Sequence, residues 1–134
     1  MSRSSKSEDL AGLFAALADT TRLRLLNLMA GREVCVCHFV EILGQSQPKI
    51  SRHLAYLRRA GVVSARRDGK WMHYRILPQP HGAAASILEA ALASLRGDRQ
   101  MQLERVRLDR SLCAPQKLVT LKGASRINMV TATL

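Results

Sequence analysis

Acidic residues, aromatic residues and long apolar runs are scarce in this sequence. The 134 residues include 10 Asp and Glu against 21 Lys and Arg, which gives a formal net charge of +11. Aromatic residues make up 4% of the chain, which favours an aliphatic, helical core. No apolar run approaches the about 18 residues of a membrane-spanning helix, and none follows the polar start Met1–Lys6. We therefore expect one domain without a signal peptide or a membrane span.

The usual signatures of an active site are also missing. The sequence has no Gly-rich phosphate loop, no nucleophile elbow and no paired-carboxylate arrangement. Its cysteines number 3, and two of them are one residue apart, which does not suggest a disulfide framework. We predict that the chain is not an enzyme, has no organic cofactor and works in the reducing cytoplasm. Its histidines are scattered and form no convincing zinc set: His38, His53, His73 and His81.

The positive charge is concentrated in one stretch of the chain. Eight basic residues and one acidic residue lie between Gly44 and Arg75. Such a patch binds phosphate through the release of counterions, so double-stranded DNA is the expected partner. An anionic membrane would also attract it, but no basic amphipathic helix with aromatic anchors is present.

The segment Ser46–Gly61 has the pattern of a DNA-recognition helix. Ser46 is a favourable N-cap, Pro48 suits the first turn and Gly61 suits the stop. A short helix near residues 39–43 and a turn at Gly44 precede it, which is helix-turn-helix spacing. Apolar residues at i, i+4 and i+7 predict one buried stripe: Ile50, Leu54 and Leu57.

The outer face of this helix carries cations, hydrogen-bonding side chains and one aromatic ring, with no carboxylate. That set suits the major groove, where side chains reach base edges and phosphates. A solvated basic surface helix is the alternative. The predicted DNA-binding residues of the helix are Gln47, Lys49, Ser51, Arg52, His53 and Tyr56.

A β-hairpin is predicted directly after the recognition helix. Two β-prone runs flank the segment Arg67-Asp68-Gly69-Lys70, and Asp-Gly between such runs is a strong hairpin signal. A hairpin in this position is a wing, and Arg66, Arg67 and Lys70 would meet the DNA backbone or minor groove. A solubilising turn is the alternative.

The remaining segments complete a mainly α fold with a β-hairpin wing, a dimeric winged helix-turn-helix. Amphipathic helices are expected over about 10–17 and 20–30, and Asp19 is the N-cap of the second. Arg22 and Arg24 are expected to be solvated or in local ion pairs. A further helix from about Ile87, which Gly97 and Asp98 interrupt, offers apolar surface for a homodimer. The predicted divisions are a flexible N-terminus at 1–7, a DNA-binding and dimerisation domain at 8–112, and a C-terminal tail at 113–134 with no visible period, which suits a disordered segment.

Cys35 and Cys37 form the chemical feature of the sequence. In a regular helix these positions point about 200° apart, but at a strand–helix junction their thiols can converge. A helix N-terminus, Arg32 and His38 would lower the thiol pKa and favour soft or thiophilic ions. Two sulfurs alone are a weak set of ligands for an ion. Cys113 is the candidate third ligand, from the same subunit or from its partner. Small buried hydrophobes are the alternative reading of the pair.

Four segments of the chain resemble the ArsR/SmtB family of repressors. Residues 33–39, Glu-Val-Cys-Val-Cys-His-Phe, resemble its metal box, and residues 45–54 resemble its recognition helix. Residues 18–22 and 68–75 also match, so the resemblance covers roughly 10–112. It implies a homodimeric winged-helix repressor that binds operator DNA and leaves it when As(III) or Sb(III) binds cysteine thiolates, with Cys35 and Cys37 at the sensing positions.

The chain departs from the family pattern in three places. His38 replaces the aspartate of the box, and Val40 stands where some arsenic-sensing members have a third cysteine. No cysteine precedes Cys35, which weakens a reading as a sensor of Cd or Pb. A winged-helix regulator that responds to thiol oxidation or to such a soft metal remains the alternative.

Overall fold

The computed structural model describes residues 5–79 and 82–113, and within these ranges the chain forms helices and one small sheet. The elements in chain order are α1 (Lys6–Leu17), α2 (Thr20–Met29), β1 (Val34–Cys35), α3 (Val36–Leu43), α4 (Gln47–Arg59), β2 (Val63–Asp68), β3 (Trp71–Ile76), α5 (Gly82–Arg96) and α6 (Arg99–Leu112). The predicted mainly α fold with a hairpin wing is confirmed. No helix in these described ranges is long and apolar enough to cross a membrane.

The start of the domain differs from the prediction. Residues 5–7 were expected to be flexible, but Ser5 caps α1, which begins at Lys6. The Ser5 Oγ accepts from the Glu8 N–H at 3.2 Å, and Glu8 Oε1 accepts from the Ser5 N–H at 3.2 Å. This reciprocal capping box satisfies two backbone donors of the first turn. The rest of the predicted N-terminus (1–4) and most of the predicted tail (114–134) lie outside the described residues, as does His81.

The predicted interruption at Gly97 and Asp98 is confirmed, and it divides the last predicted helix into α5 and α6. α5 ends at Arg96, and Asp98 caps the start of α6 by accepting from the Met101 N–H at 3.0 Å. The break allows α6 to turn back onto α2 and α3. There the Asn27 side chain donates to the Met101 carbonyl at 2.9 Å, and Arg105 donates to the Asn27 carbonyl at 2.5 Å.

The sheet has the strand order β1-β3-β2 and is antiparallel throughout. Asp68 pairs with Trp71, so the two residues of the hairpin turn are Gly69 and Lys70, one position later than the Asp-Gly signal indicates. Gly69 has φ +65°, which suits the first central position of a type II′ turn. Because β1 also pairs with β3, the segment that carries Cys35 is hydrogen-bonded to the wing.

The core lies between α2, α3, α4 and the inner face of the sheet. The predicted buried stripe of α4 is confirmed, since each of its three aliphatic residues is fully buried. The predicted apolar side of α2 is buried as well. The largest fully buried side chains include Phe39, Leu25, Leu26, Leu28, Met29, Ile50, Leu54, Leu57 and Leu108. This core fixes α4 against the rest of the domain and leaves its other face outward.

Candidate nucleic-acid interface and cysteine site

The recognition helix α4 begins and ends as its sequence predicts. Ser46 accepts from the Lys49 N–H at 3.4 Å, Pro48 lies in the first turn, and Gly61 follows the C-cap with φ +77°. Gly44, with φ +67°, closes α3 and turns the chain toward α4. These local features set the angle between the two helices, and therefore the direction in which the outer face of α4 projects.

The N-terminal half of α4 presents its polar side chains to solvent. Gln47, Lys49 and Arg52 are exposed and Ser51 is half-buried. Neither Lys49 nor Arg52 forms an ion pair within the described residues, so both charges remain available to a phosphate or a base edge. This half of the helix has the chemistry that insertion into the major groove requires.

His53 and Tyr56 face a different neighbour. The His53 Nδ1 lies 3.4 Å from the Arg22 Nη1 and 3.8 Å from the Asp19 Oδ1, and the Arg22 guanidinium stacks 4.1 Å from the Tyr56 ring centroid. Arg22 also donates to the Ala16 carbonyl at 2.8 Å. The two predicted DNA-binding residues therefore contact the junction of α1 and α2, and they fix the orientation of α4.

Arg22 contacts the recognition helix, a role that the sequence did not indicate. It was expected to be solvated or in a local ion pair, but its guanidinium joins the end of α1 to the middle of α4. The signal available in the sequence was only its position after the N-cap Asp19, which does not show a partner 31 residues away.

The wing presents three cations, one of which is held by an acid. Arg66, Arg67 and Lys70 are all exposed. Arg66 forms a bidentate ion pair with Glu33, in which Nη2 lies 2.7 Å from Oε1 and Nε lies 3.1 Å from Oε2. The hydrogen bond from Arg66 lowers the pKa of Glu33. Arg67 and Lys70 make no ion pair within the described part of the chain.

Cys35 and Cys37 converge where β1 passes into α3. Cys35 is the N-cap of α3 with extended backbone angles, φ −75° and ψ 144°, and Cys37 lies in the first turn. The Cys37 thiol donates to the Cys35 Sγ at 3.1 Å. The predicted convergence at a strand–helix junction is confirmed, because the extended residue removes the separation of about 200° that a helix would impose.

The predicted lowering of the thiol pKa is wrong for Cys37. The hydrogen bond to Cys35, followed by burial, raises the pKa of Cys37 far above its usual range. Of the two cations expected to lower it, Arg32 pairs with Asp109 at 2.8 Å. His38 lies beside Cys37, but burial lowers the pKa of His38 and so favours its neutral form. The raised pKa favours the protonated form of the Cys37 thiol, whose proton a thiophilic ligand would displace.

The surroundings of the cysteines include one histidine and the end of α6. His38 is 4% exposed, its Nδ1 lies 3.9 Å from the Cys37 Sγ, and its Nε2 has no hydrogen-bond partner in the described structure. Ser111 donates to the Glu41 Oε1 at 2.7 Å, which places the last turn of α6 beside α3. Cys113 is the exposed C-cap of α6, two residues further on.

The described residues do not assemble a complete metal site. No group of three or more His, Cys, Asp or Glu side chains in 5–79 and 82–113 is arranged to hold a metal ion. The structure brings Cys35 and Cys37 together and leaves Cys113 apart from them. The third ligand remains a prediction.

A helix-turn-helix followed by a basic hairpin defines a winged-helix DNA-binding protein, a class of transcriptional regulators and not of enzymes. The family model described as "Bacterial regulatory protein, arsR family" matches residues 19–65. The chain belongs to the arsR family of bacterial regulatory proteins.

Individual relatives agree with this assignment. The chain is 50% identical over 80 residues to the arsenical resistance operon repressor of Escherichia coli, covering 59% of this chain and 68% of the relative. It is 43% identical over 81 residues to the arsenic resistance transcriptional regulator ArsR2 of Pseudomonas putida, covering 60% and 70%.

Solved structures support the fold. The chain is similar to the HlyU structure of Vibrio cholerae, with a TM-score of 0.57, 27% identity and coverage of 66% of this chain and 92% of that one. It is also similar to the transcriptional repressor BigR of Xylella fastidiosa, with a TM-score of 0.55, 28% identity and coverage of 66% and 88%.

Proposed function

We propose that the chain is a metalloid-responsive transcriptional repressor, released from its operator by As(III) bound to cysteine thiolates. The observation that carries this proposal is the pair of sulfurs 3.1 Å apart in the first turn of α3. Soft sulfur donors suit a thiophilic ion, and α3 is the first helix of the helix-turn-helix. The names of the relatives in Escherichia coli and Pseudomonas putida support an arsenic-type inducer. Sb(III) is a second inducer by the same chemistry.

Operator DNA is bound by a homodimer in the cytoplasm. The outer face of α4 reads the major groove, while the wing cations contact the backbone. Two half-sites require a two-fold protein, and apolar surface on α1 and α5 supplies the contact. Phe14 on α1 is 53% exposed, and Leu88 is the one buried residue among the described side chains of α5. The proposed DNA contacts are Gln47, Lys49, Ser51, Arg52, Arg66, Arg67 and Lys70, with His53 and Tyr56 positioning the helix.

The proposed ligands of As(III) are Cys35, Cys37 and Cys113. Arsenous acid and three thiols give a trithiolate and three waters, so the reaction needs no oxidant. The contact between Ser111 and Glu41 keeps the end of α6 beside α3, which supports a third sulfur from the same subunit. Binding strains the first turn of α3, and the short turn at Gly44 passes this change to α4. A coupling of about 1–3 kcal/mol per site is sufficient to release most operators.

Fluorescence anisotropy on a duplex from the protein's own promoter tests this function. Under reducing conditions, added arsenite is expected to lower the anisotropy of the wild-type complex, but not that of the Cys35→Ser or Cys37→Ser complex. Tight DNA binding that is indifferent to arsenite would refute the metalloid function and leave the DNA-binding assignment intact.

The same sulfur distance supports a second candidate, a response to thiol oxidation. Peroxide would take two electrons and two protons from Cys35 and Cys37 to give a disulfide and two waters, although so short a loop strains the bond. Release by peroxide without release by arsenite would favour this candidate. Release by Cd(II) or Pb(II) alone would instead favour a soft-metal sensor.

A further inference from the structure

The ion pair between Glu33 and Arg66 joins the cysteine segment to the wing. Glu33 directly precedes β1, and Arg66 lies in the middle of β2, 33 residues away. Both oxygens of the carboxylate accept from the guanidinium, at 2.7 Å and 3.1 Å. This bidentate arrangement fixes the direction of the arginine side chain as well as its charge.

The sheet places this pair in line with the cysteine site. Cys35 on β1 and Arg66 on β2 both pair with His73 on the central strand β3. Directly paired residues project on the same face of a sheet, so these three residues form a row across it. Glu33 lies just before β1, and its hydrogen bonds with Arg66 place its side chain on the same side of the sheet.

The ion pair between Glu33 and Arg66 is exposed enough for a phosphate of DNA to replace Glu33. The side chain of Arg66 is 54% exposed and that of Glu33 is 30% exposed. Water screens exposed ion pairs, which contribute little net free energy, so little opposes an exchange of partner. A phosphate offers the guanidinium the same bidentate geometry as a carboxylate. Unlike Arg66, its neighbour Arg67 has no carboxylate partner in the described residues.

We propose that Glu33 and a phosphate of the DNA backbone compete for Arg66. Glu33 is then a positioning residue: it holds a wing cation away from the DNA and lowers operator affinity from inside the cysteine segment. This competition rests on the DNA binding that defines the family. It also has a consequence that rests on the proposed function, because a ligand on Cys35 acts on the strand that carries Glu33 and so on the wing.

A double-mutant cycle on the full chain tests the competition. Operator binding is measured by anisotropy across a series of salt concentrations for the wild type, Glu33→Gln, Arg66→Gln and the double variant. Glu33→Gln is expected to tighten binding several-fold and to steepen the salt dependence by up to about 0.9, the value for one phosphate contact. Arg66→Gln should weaken binding. In the Arg66→Gln background Glu33→Gln should tighten binding only by the small factor that follows from the loss of one negative charge near the DNA.

Asp68→Asn is the control, because it removes one negative charge from the end of β2 and because Asp68 makes no hydrogen bond or ion pair with Arg66, on which its charge acts only at longer range. It is expected to tighten binding equally with and without Arg66. Equal effects of Glu33→Gln in the wild type and in Arg66→Gln would overturn the proposal. The ion pair would then serve only to stabilise the fold. If Glu33→Gln does not fold, Glu33→Asp breaks the bidentate geometry and gives the same comparison.

A final titration separates this proposal from the metalloid function. Arsenite should lower the operator affinity of Glu33→Gln by a smaller factor than it lowers that of the wild type. For Asp68→Asn the factor should equal that of the wild type. If arsenite does not release the wild type, the metalloid function fails. The competition is then judged from the arsenite-free cycle alone.

Discussion

Arg24 and Glu104, 80 residues apart in the chain, face each other in the interface between α2 and α6 with Nη2 2.5 Å from Oε2. The Arg24 Nε also donates to Glu104 at 3.0 Å, and Gln100 donates to the same carboxylate at 3.4 Å. Glu104 is 3% exposed. Because its charge is buried and fully engaged, this contact holds α6 against the domain, and with it the end of α6 that carries Cys113.

Removing one partner of this pair should be costly. We expect Glu104→Ala to lower the free energy of unfolding by about 3 kcal/mol, because it leaves the Arg24 guanidinium buried without its partner. Asp109→Ala is the control on the same helix, where the side chain is 60% exposed in its pair with Arg32. That change should cost less than about 1 kcal/mol. Urea unfolding measures both, and equal losses would contradict the distinction.

The cap of α2 should give stability that depends on pH. Burial acts to raise the pKa of Asp19, but the hydrogen bond from the Arg22 N–H and the charges of His53 and Arg22 outweigh it and lower the pKa. A lowered pKa stabilises the fold above the usual value of 3.8, and this contribution is lost as the pH falls through the folded-state pKa.

Asp19→Ala is therefore expected to cost about 1 kcal/mol at neutral pH, and the difference from the wild type should shrink in acid. Ser46→Ala removes a cap that cannot titrate, so its cost should stay constant with pH. Thermal unfolding between neutral and acidic pH measures both variants. A pH-independent effect of Asp19→Ala would contradict the role of its carboxylate charge.

Two equally exposed apolar residues can show which helices form the dimer interface. Phe14 on α1 and Leu103 on α6 are each 53% exposed. If α1 and α5 form the interface, Phe14→Glu should convert the dimer to a monomer, because it buries a charge at the contact. Leu103→Glu should leave the dimer intact. Analytical ultracentrifugation decides between them, and the reverse result would move the interface to α6.

The third sulfur can be tested apart from DNA binding. Cys113→Ser should bind operator DNA as the wild type does, because Cys113 lies at the end of α6, away from α4 and the wing. Its affinity for arsenite should fall by roughly 10²-fold, since one tethered ligand is lost from a multidentate site. Isothermal titration calorimetry measures this change. Unaltered arsenite affinity would leave a site made by Cys35 and Cys37.

Mixed dimers would then identify the subunit that supplies this sulfur. Co-expression of Cys113→Ser with Cys35→Ser/Cys37→Ser chains gives heterodimers. If the third ligand comes from the same subunit, these heterodimers have no complete site. If it comes from the partner, they retain one high-affinity site.

Sequence by itself determined the features that depend on residues a few positions apart. The N-caps Asp19 and Ser46, the stop at Gly61 and the buried stripe of α4 follow from local hydrogen bonding and helical periodicity. The hairpin was also predictable, although its turn lies at Gly69 and Lys70, because strand pairing and not the Asp-Gly pair alone sets the register. The sulfur convergence at Cys35 and Cys37 needed only a strand–helix junction.

Only the tertiary structure decided the contacts between distant segments. Three contacts join elements that lie far apart along the chain, so the sequence does not show the partners. They are the contacts of Arg22 with Tyr56, Arg24 with Glu104 and Arg66 with Glu33. The raised pKa of Cys37 depends on both levels, because its largest cause is the local hydrogen bond to Cys35 and its second is burial, which the packing of the domain sets. An arginine in a sequence shows a charge, and the packing of helices and strands determines whether it meets water, an acid or a ring.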